Sequence, residues 1–263
     1  MSSVATPSIR YEVLGTLIAG IGLDQAMTIV EQWVASGQPG YLCHANVHGV
    51  MEARRDRGLR QAYAAAGLVV ADGVPLVWVG RLLGQRAVRR VYGPDFMLLL
   101  AERAAARGYR VFFYGGASGV AADLAARFSR RFPGLRVVGA QSPPFRPLTA
   151  EEDAATVARI NASGADIVWV GLGCPKQERW MAEHRAALTA PVLIGVGAAF
   201  DFHTGRVIQA PRWLMPLGLE WLYRLIQEPR RLWRRYLLYN PLFVLLVAGQ
   251  LLRGARRWVS GSP

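Results

Sequence analysis

Between about residues 40 and 200, short apolar runs alternate with Ala-, Arg- and Glu-rich stretches, and this rhythm limits the chain to few folds. The runs at Tyr41–Ala45, Leu68–Ala71, Val111–Tyr114, Arg136–Val138, Ile167–Gly171 and Val192–Val196 are mostly continuous rather than alternating, as expected of strands covered on both faces. The stretches Asp95–Arg107, Gly119–Arg131 and Ala150–Asn161 carry apolar residues three and four apart, which predicts helices. Thr149 followed by Glu151 and Glu152 reads as a helix start with acids in the first turn. Strand-then-helix repetition predicts an α/β fold: a doubly wound, mostly parallel, Rossmann-like sheet with helices on both faces. A hydrophobic fraction of 52% over 263 residues is enough for such a core.

The rhythm stops near 205–215. We therefore expect an α/β core over residues 1–205 and a basic, amphipathic helical appendage over 206–263. From Arg206 onward there are ten arginines against two glutamates, which accounts for +8 of the chain's net +13. Trp213, Trp221, Tyr223, Trp233 and Tyr236 are interleaved with them. Such a segment calls for an anionic partner, and Trp and Tyr favour the membrane interface. At 100° per residue, Arg224, Arg231 and Arg235 fall near one line of a helix and Arg230 and Arg234 form a second row, with Pro229 interrupting the phase. The apolar stretch Pro241–Leu252 is about a dozen residues, whereas spanning a bilayer takes roughly 20, so an interfacial or core-packed helix is expected. Met1–Glu12 lacks the profile of a signal peptide. Cys43 and Cys174, far apart and without a CxxC or a nearby His ligand, read as reduced thiols.

In doubly wound sheets ligands sit at the carboxyl ends of the strands, which singles out the residues just after each run. Asp72, in Val-Val-Ala-Asp-Gly-Val-Pro, is a carboxylate at the end of an apolar strand. Desolvation there suits a general base, and capping of the next helix is the alternative. His44 and Asn46 alternate along one strand end; they would position a substrate hydroxyl or satisfy buried backbone groups. His48 falls in the next turn. Tyr114-Gly115-Gly116 before a helix is suited to an anion at backbone N–H groups. Gly171–Trp180 contains Lys176, the sole lysine of the chain, and Gln177, both at a helix start facing the crevice. Cys174 has no base nearby in sequence, which argues against a nucleophile. Gly195–Gly205 brings small residues and Asp201. No Asp-x-Asp occurs, so no metal site is expected and no cofactor is implied; charge on a diphosphate would fall to arginine.

The chain resembles the WecG/TagA/CpsF family of bacterial glycosyltransferases (glycosyltransferase family 26). The matching pieces are Ala45-Asn46-Val47-His48, Ala71-Asp72-Gly73-Val74-Pro75, Arg90-Val91-Tyr92-Gly93-Pro94-Asp95 and Phe113–Gly116. They continue with Gly171–Glu178, Gly195–Gly205, and Ala210-Pro211-Arg212 through Glu228-Pro229-Arg230-Arg231, in order from about residue 10 to 240. The resemblance implies an inverting, metal-independent transfer of N-acetylmannosamine, its uronic acid or glucuronic acid from a UDP donor. The acceptor would be a polyprenyl-diphosphate-linked saccharide at the cytoplasmic face of the plasma membrane, in cell-surface polysaccharide synthesis. It implies Asp72 as base, and Arg90, Gln177 and Asp201 as pocket residues. It also implies Arg224, Arg231 and Arg234 as arginines of an appendage that closes over the site. His44 stands where relatives usually carry Thr in a Thr-x-Asn motif, so it must act differently from that hydroxyl; a homo-oligomer is a separate expectation for the assembly.

Other classes fit less well. A dinucleotide-dependent oxidoreductase should show Gly-x-Gly-x-x-Gly after its first strand, and none follows it here. Basic residues gathered in one terminal segment beside an apolar run do not form a nucleic-acid-binding fold. A membrane-peripheral nucleotide- or anion-binding module without transferase activity is the alternative to an enzyme.

Overall fold

The computed structural model describes residues 9–259, with side chains described through Arg253. The first eight residues of the Met1–Glu12 stretch therefore lie outside the described residues, as do the Arg256 and Arg257 side chains of the basic tail. The chain opens with β1 (Arg10–Val13) and β2 (Thr16–Ala19), an antiparallel hairpin. Its two-residue turn, Leu14-Gly15, has φ of 51° and 89°, the left-handed pair that a tight hairpin requires. Leucine is a poor signal for that turn, and the sequence rhythm gave no hint of it.

Helix α1 (Leu23–Ser36) leads into β3 (Gly40–Ala45), α2 (Val47–Ala53), α3 (Arg57–Ala65), β4 (Leu68–Ala71) and α4 (Val74–Leu82). Then come α5 (Gly93–Arg107), β5 (Arg110–Gly115), α6 (Val120–Arg131), β6 (Arg136–Gln141) and α7 (Ala150–Ser163). The core closes with β7 (Ile167–Gly171), α8 (Lys176–His184), β8 (Val192–Gly195) and α9 (Ala199–His203). Six strands pair in parallel in the order β4-β3-β8-β7-β5-β6, so the predicted α/β architecture holds. Thr149 caps α7 in a reciprocal box with Glu152.

Burial explains why the strands read as continuous apolar runs. Cys43, Ala45, Val69, Ala71, Phe112, Tyr114, Val168 and Val170 enter one core cluster. Their alternating neighbours Leu42, Leu68, Val70, Val111, Phe113, Ile167, Trp169 and Ile194 enter the other, on the opposite face. Period-2 alternation is present, but both faces are dry.

Beyond α9 a short 3₁₀ turn (Arg212–Leu214) precedes α10 (Glu220–Gln227), α11 (Pro229–Trp233), a π turn (Arg234–Leu238) and α12 (Tyr239–Val259). Glu228 is non-helical and Pro229 restarts the helix at its first position, as the sequence suggests. From Pro229 to Arg253 the backbone is helical over 25 residues, long and apolar enough by length and composition to cross a membrane. The expectation of a helix too short to span is thus corrected, because the helix extends well before the run from Pro241. One face of it is nevertheless committed to protein: Phe243 and Val247 are buried in the sheet-and-hairpin core. Gln250 donates to Glu12 O and accepts from Leu14 N, tying α12 to the hairpin.

Candidate active site

Asp72 follows β4 directly, and its backbone N–H bonds to Ala45 O, so the carboxylate emerges from the sheet at the ligand end. Its Oδ1 accepts from the Gly93 N–H at the start of α5, 3.2 Å away. Arg90 lies beside it, with Nη2 3.9 Å from Oδ1 and Nε donating to the Asp72 backbone carbonyl. Burial pushes the carboxyl up to about 6, against the pull of Arg90 and with a further push from Glu220. A carboxylate with that proton affinity, still a fifth exposed, is equipped to take a proton from a ligand hydroxyl.

A cavity of about 790 Å³ opens over Asp72. Asn46, Asp72, Arg90 and Arg224 line it, so four of the residues singled out in the sequence meet in one space. Asn46 also accepts from Gly49 N as the cap of α2, so here the backbone-satisfying alternative is realised. His48, Glu220 and Arg235 line the same cavity and were not picked out as site residues. Glu220 Oε2 pairs with Arg90 Nη2 at 2.6 Å, and its Oε1 accepts from Tyr92 OH at 3.1 Å. Arg90 in turn lies 4.0 Å over the Tyr92 ring. The signal for Glu220 was its sign: it is one of two acids among ten arginines.

The tail arginines follow the helical line only in part. Arg234 is exposed, over the Trp233 ring, and Arg231 is exposed in a pair with Glu228. Arg212 binds both oxygens of Asp95, at 2.6 and 2.9 Å. Arg224 and Arg235 turn inward instead, each with a buried Nε that lacks a hydrogen-bond partner. The non-helical Glu228 breaks the phase between α10 and α11, and the π turn at Arg234–Leu238 shifts it again beyond Trp233, which a uniform 100° per residue could not anticipate.

The remaining predicted residues gather at the ends of β5, β7 and β8, outside that cavity. Gly115 has φ of 132°, and a Cβ there would stand 2.6 Å from the Gly171 backbone, so only glycine fits between the strand ends. Gly116 N–H donates to Gly171 O, which removes one of the amides expected to face an anion. Gln177 is buried; it accepts from Gly173 N and donates to Glu178. Lys176 is exposed with its ammonium 4.9 Å from the Phe145 ring centre. Asp201 is half-buried, its carboxyl raised by desolvation and opposed by Arg231, Arg206 and Arg224.

His44 belongs to neither group. It is buried, its Nδ1 3.0 Å from Gly195 O and its ring edge-on to Phe96. Burial lowers it to about 4, which keeps it neutral. Gly195 O is an acceptor, so Nδ1 carries the proton. Cys174 is held up by burial and by Glu178, far from thiolate character. Among the described residues no three of His, Cys, Asp and Glu gather as metal ligands.

Comparison with known proteins matches this arrangement to a named group. Residues 11–257 match the model of the glycosyl transferase WecG/TagA/CpsF family. An N-acetylglucosaminyldiphosphoundecaprenol N-acetyl-beta-D-mannosaminyltransferase of Bacillus spizizenii is 32% identical over 197 residues, covering 75% of this chain and 74% of that protein. Asp72 in a cavity at the strand ends, a docked arginine-rich tail and a match over nearly the full length converge, and the chain belongs to the WecG/TagA/CpsF family of glycosyltransferases.

Proposed function

We propose that the protein transfers a sugar from a UDP donor to a saccharide carried on a polyprenyl diphosphate, with inversion. The observation that carries this reading is Asp72, with its carboxyl pushed up to about 6, in a cavity that also holds Arg224 and Arg235. The acceptor hydroxyl gives its proton to Asp72 as its oxygen bonds to the anomeric carbon. The bond from that carbon to the β-phosphate oxygen breaks, and its electron pair leaves with UDP from the opposite face. Removal of the proton by a placed base contributes typically ~10²–10⁴ in rate. A positive side chain fixed near the departing diphosphate stabilises its growing charge, and Arg231, near Asp201 at the far strand ends, is suited to that role.

The relative named above acts on an N-acetylglucosaminyl-diphospho-undecaprenol and moves an N-acetylmannosaminyl group, which supports N-acetylmannosamine as the first sugar to test. Residues 206–263 are read as the part that brings the core to the cytoplasmic membrane face. The test is release of UDP from UDP-N-acetylmannosamine, its uronic acid and UDP-glucuronic acid, each offered with a lipid-linked N-acetylglucosamine. Acceptor-dependent release from one donor is expected. Nucleotide binding without release from any of them favours a binding module instead.

A further inference from the structure

The lining of the cavity over Asp72 is of two chemical kinds. One part is cationic: Arg224 and Arg235 present guanidinium groups with buried, unpartnered Nε atoms. Arg235 makes no ion pair among the described residues, and Arg224 pairs only with Glu228, at 3.9 Å, with the Phe202 ring centre 5.5 Å from its guanidinium. Glu220 is already occupied by Arg90 and Tyr92. Two half-buried cations side by side repel each other, and leaving them unpaired is costly. A ligand with two or more negative charges relieves both penalties.

The other part of the wall is apolar. Trp78 and Leu82 of α4 and Val244, Ala248 and Leu251 of α12 line the cavity as well. Trp78 is 47% exposed, Leu82 70% and Val244 62%, so this trough keeps large apolar surface in reach of solvent. A nucleotide sugar has nothing to place there. A molecule with a diphosphate head and a hydrocarbon tail matches both parts at once.

We propose that Arg235, together with Arg224, seats the diphosphate of the lipid-linked acceptor, and that the first isoprenoid units lie in the trough between α4 and α12. This rests on the transferase reading and deepens it. The base at Asp72 must meet the acceptor's hydroxyl, and a saccharide held by its diphosphate at Arg235 lies in the cavity that Asp72 lines. The donor is left to the ends of β5, β7 and β8, with Gln177 at Gly173 and Arg231 near Asp201. Arg235 is thereby assigned a binding role that its neighbour Arg234, out over Trp233, does not share.

The test titrates the full-length protein, without vesicles, with farnesyl diphosphate, farnesol and inorganic pyrophosphate. Farnesyl diphosphate should bind at least tenfold more tightly than either of the others, and saturating UDP should not displace it. Arg235→Gln should lower that affinity about tenfold to a hundredfold and Arg235→Lys less. Val244→Glu, on an exposed position, should weaken farnesyl diphosphate and leave pyrophosphate unchanged. Wild-type affinity for farnesyl diphosphate in both Arg235→Gln and Val244→Glu overturns the proposal, and so does displacement by UDP. If Val244→Glu weakens vesicle binding alone, the trough serves the bilayer and the proposal fails.

In steady state, Arg235→Gln should raise KM for the lipid-linked acceptor tenfold or more and leave KM for the UDP-sugar within about twofold. Transfer with an unchanged acceptor KM sinks the seat and spares the transferase. The expected binding pattern in a protein that transfers no sugar from any UDP donor spares the seat and sinks the transferase.

Discussion

At the residue scale the site turns on one carboxylate made basic by its surroundings. Asp72 is held up to about 6 chiefly by burial, above the 3.8 of an exposed aspartate. The native state therefore binds more protons than the unfolded chain between those values, and stability falls as pH rises from about 4 to about 6. Asp72→Asn should lose transfer by ~10²–10⁴. It should also be more stable than the parent at pH 7 by about 1–3 kcal/mol, allowing for the remaining exposure, with the gain vanishing below about pH 4. Chemical denaturation at both pH values checks the second half. A variant that is inactive and no more stable at pH 7 would mean that the carboxylate is not strained by burial. As the proposed base, Asp72 would act only when ionised, so kcat/KM should rise with pH through about 6. Glu220 raises the Asp72 carboxyl, and Glu220→Gln should move that rise to lower pH. An unmoved profile would show that the Glu220 charge does not reach the base. Asp72 was legible in the sequence because it ends an apolar run before a glycine. Glu220 was not, because its partner Arg90 is 130 positions away and no local pattern links them.

At the scale of elements, the core helices and strands were legible and the tail was only partly so. Strands buried on both faces leave long apolar words, and Thr149 announces α7. The hairpin escaped because Leu14 takes a left-handed turn position without the usual Asn or Gly. Arg224 and Arg235 share the cavity as one helical line suggests, but Arg231 leaves it, because the non-helical Glu228 breaks the phase between α10 and α11. The tail is fastened at four points: Arg212 to Asp95, Glu220 to Arg90, Tyr239 to Glu52 and Gln250 to the β1–β2 hairpin. Gln250→Ala removes the last of these and should cost about 1 kcal/mol, read in urea denaturation. Truncation after about residue 205 should leave a folded core without transfer activity. That core would expose the surface covered by Phe243 and Val247 and be prone to associate. Full activity in the truncated chain would show that the tail is dispensable.

At the scale of the whole molecule, charge and apolar surface lie together on the tail. Ile226, Trp213, Trp233, Leu238 and Leu245 are exposed there, among arginines that the core does not neutralise. Such a face is suited to anionic lipid. Leu245→Glu, away from the cavity wall, should reduce partition onto vesicles containing phosphatidylglycerol several-fold. Binding of the parent should weaken with added salt. Binding that ignores both would assign the face to another partner.

The 130-residue span between Arg90 and Glu220 also sets an order in time. A chain made from its N-terminus forms the sheet and the crevice around Asp72 before Arg224 and Arg235 have been synthesised. Until translation has passed the π turn, the nascent protein carries the Asp72 carboxylate without its complete cavity: Glu220 and Arg224 are made first, with α10, and Arg235 last. The cavity over Asp72 is therefore the last part of the crevice to be completed as the chain grows.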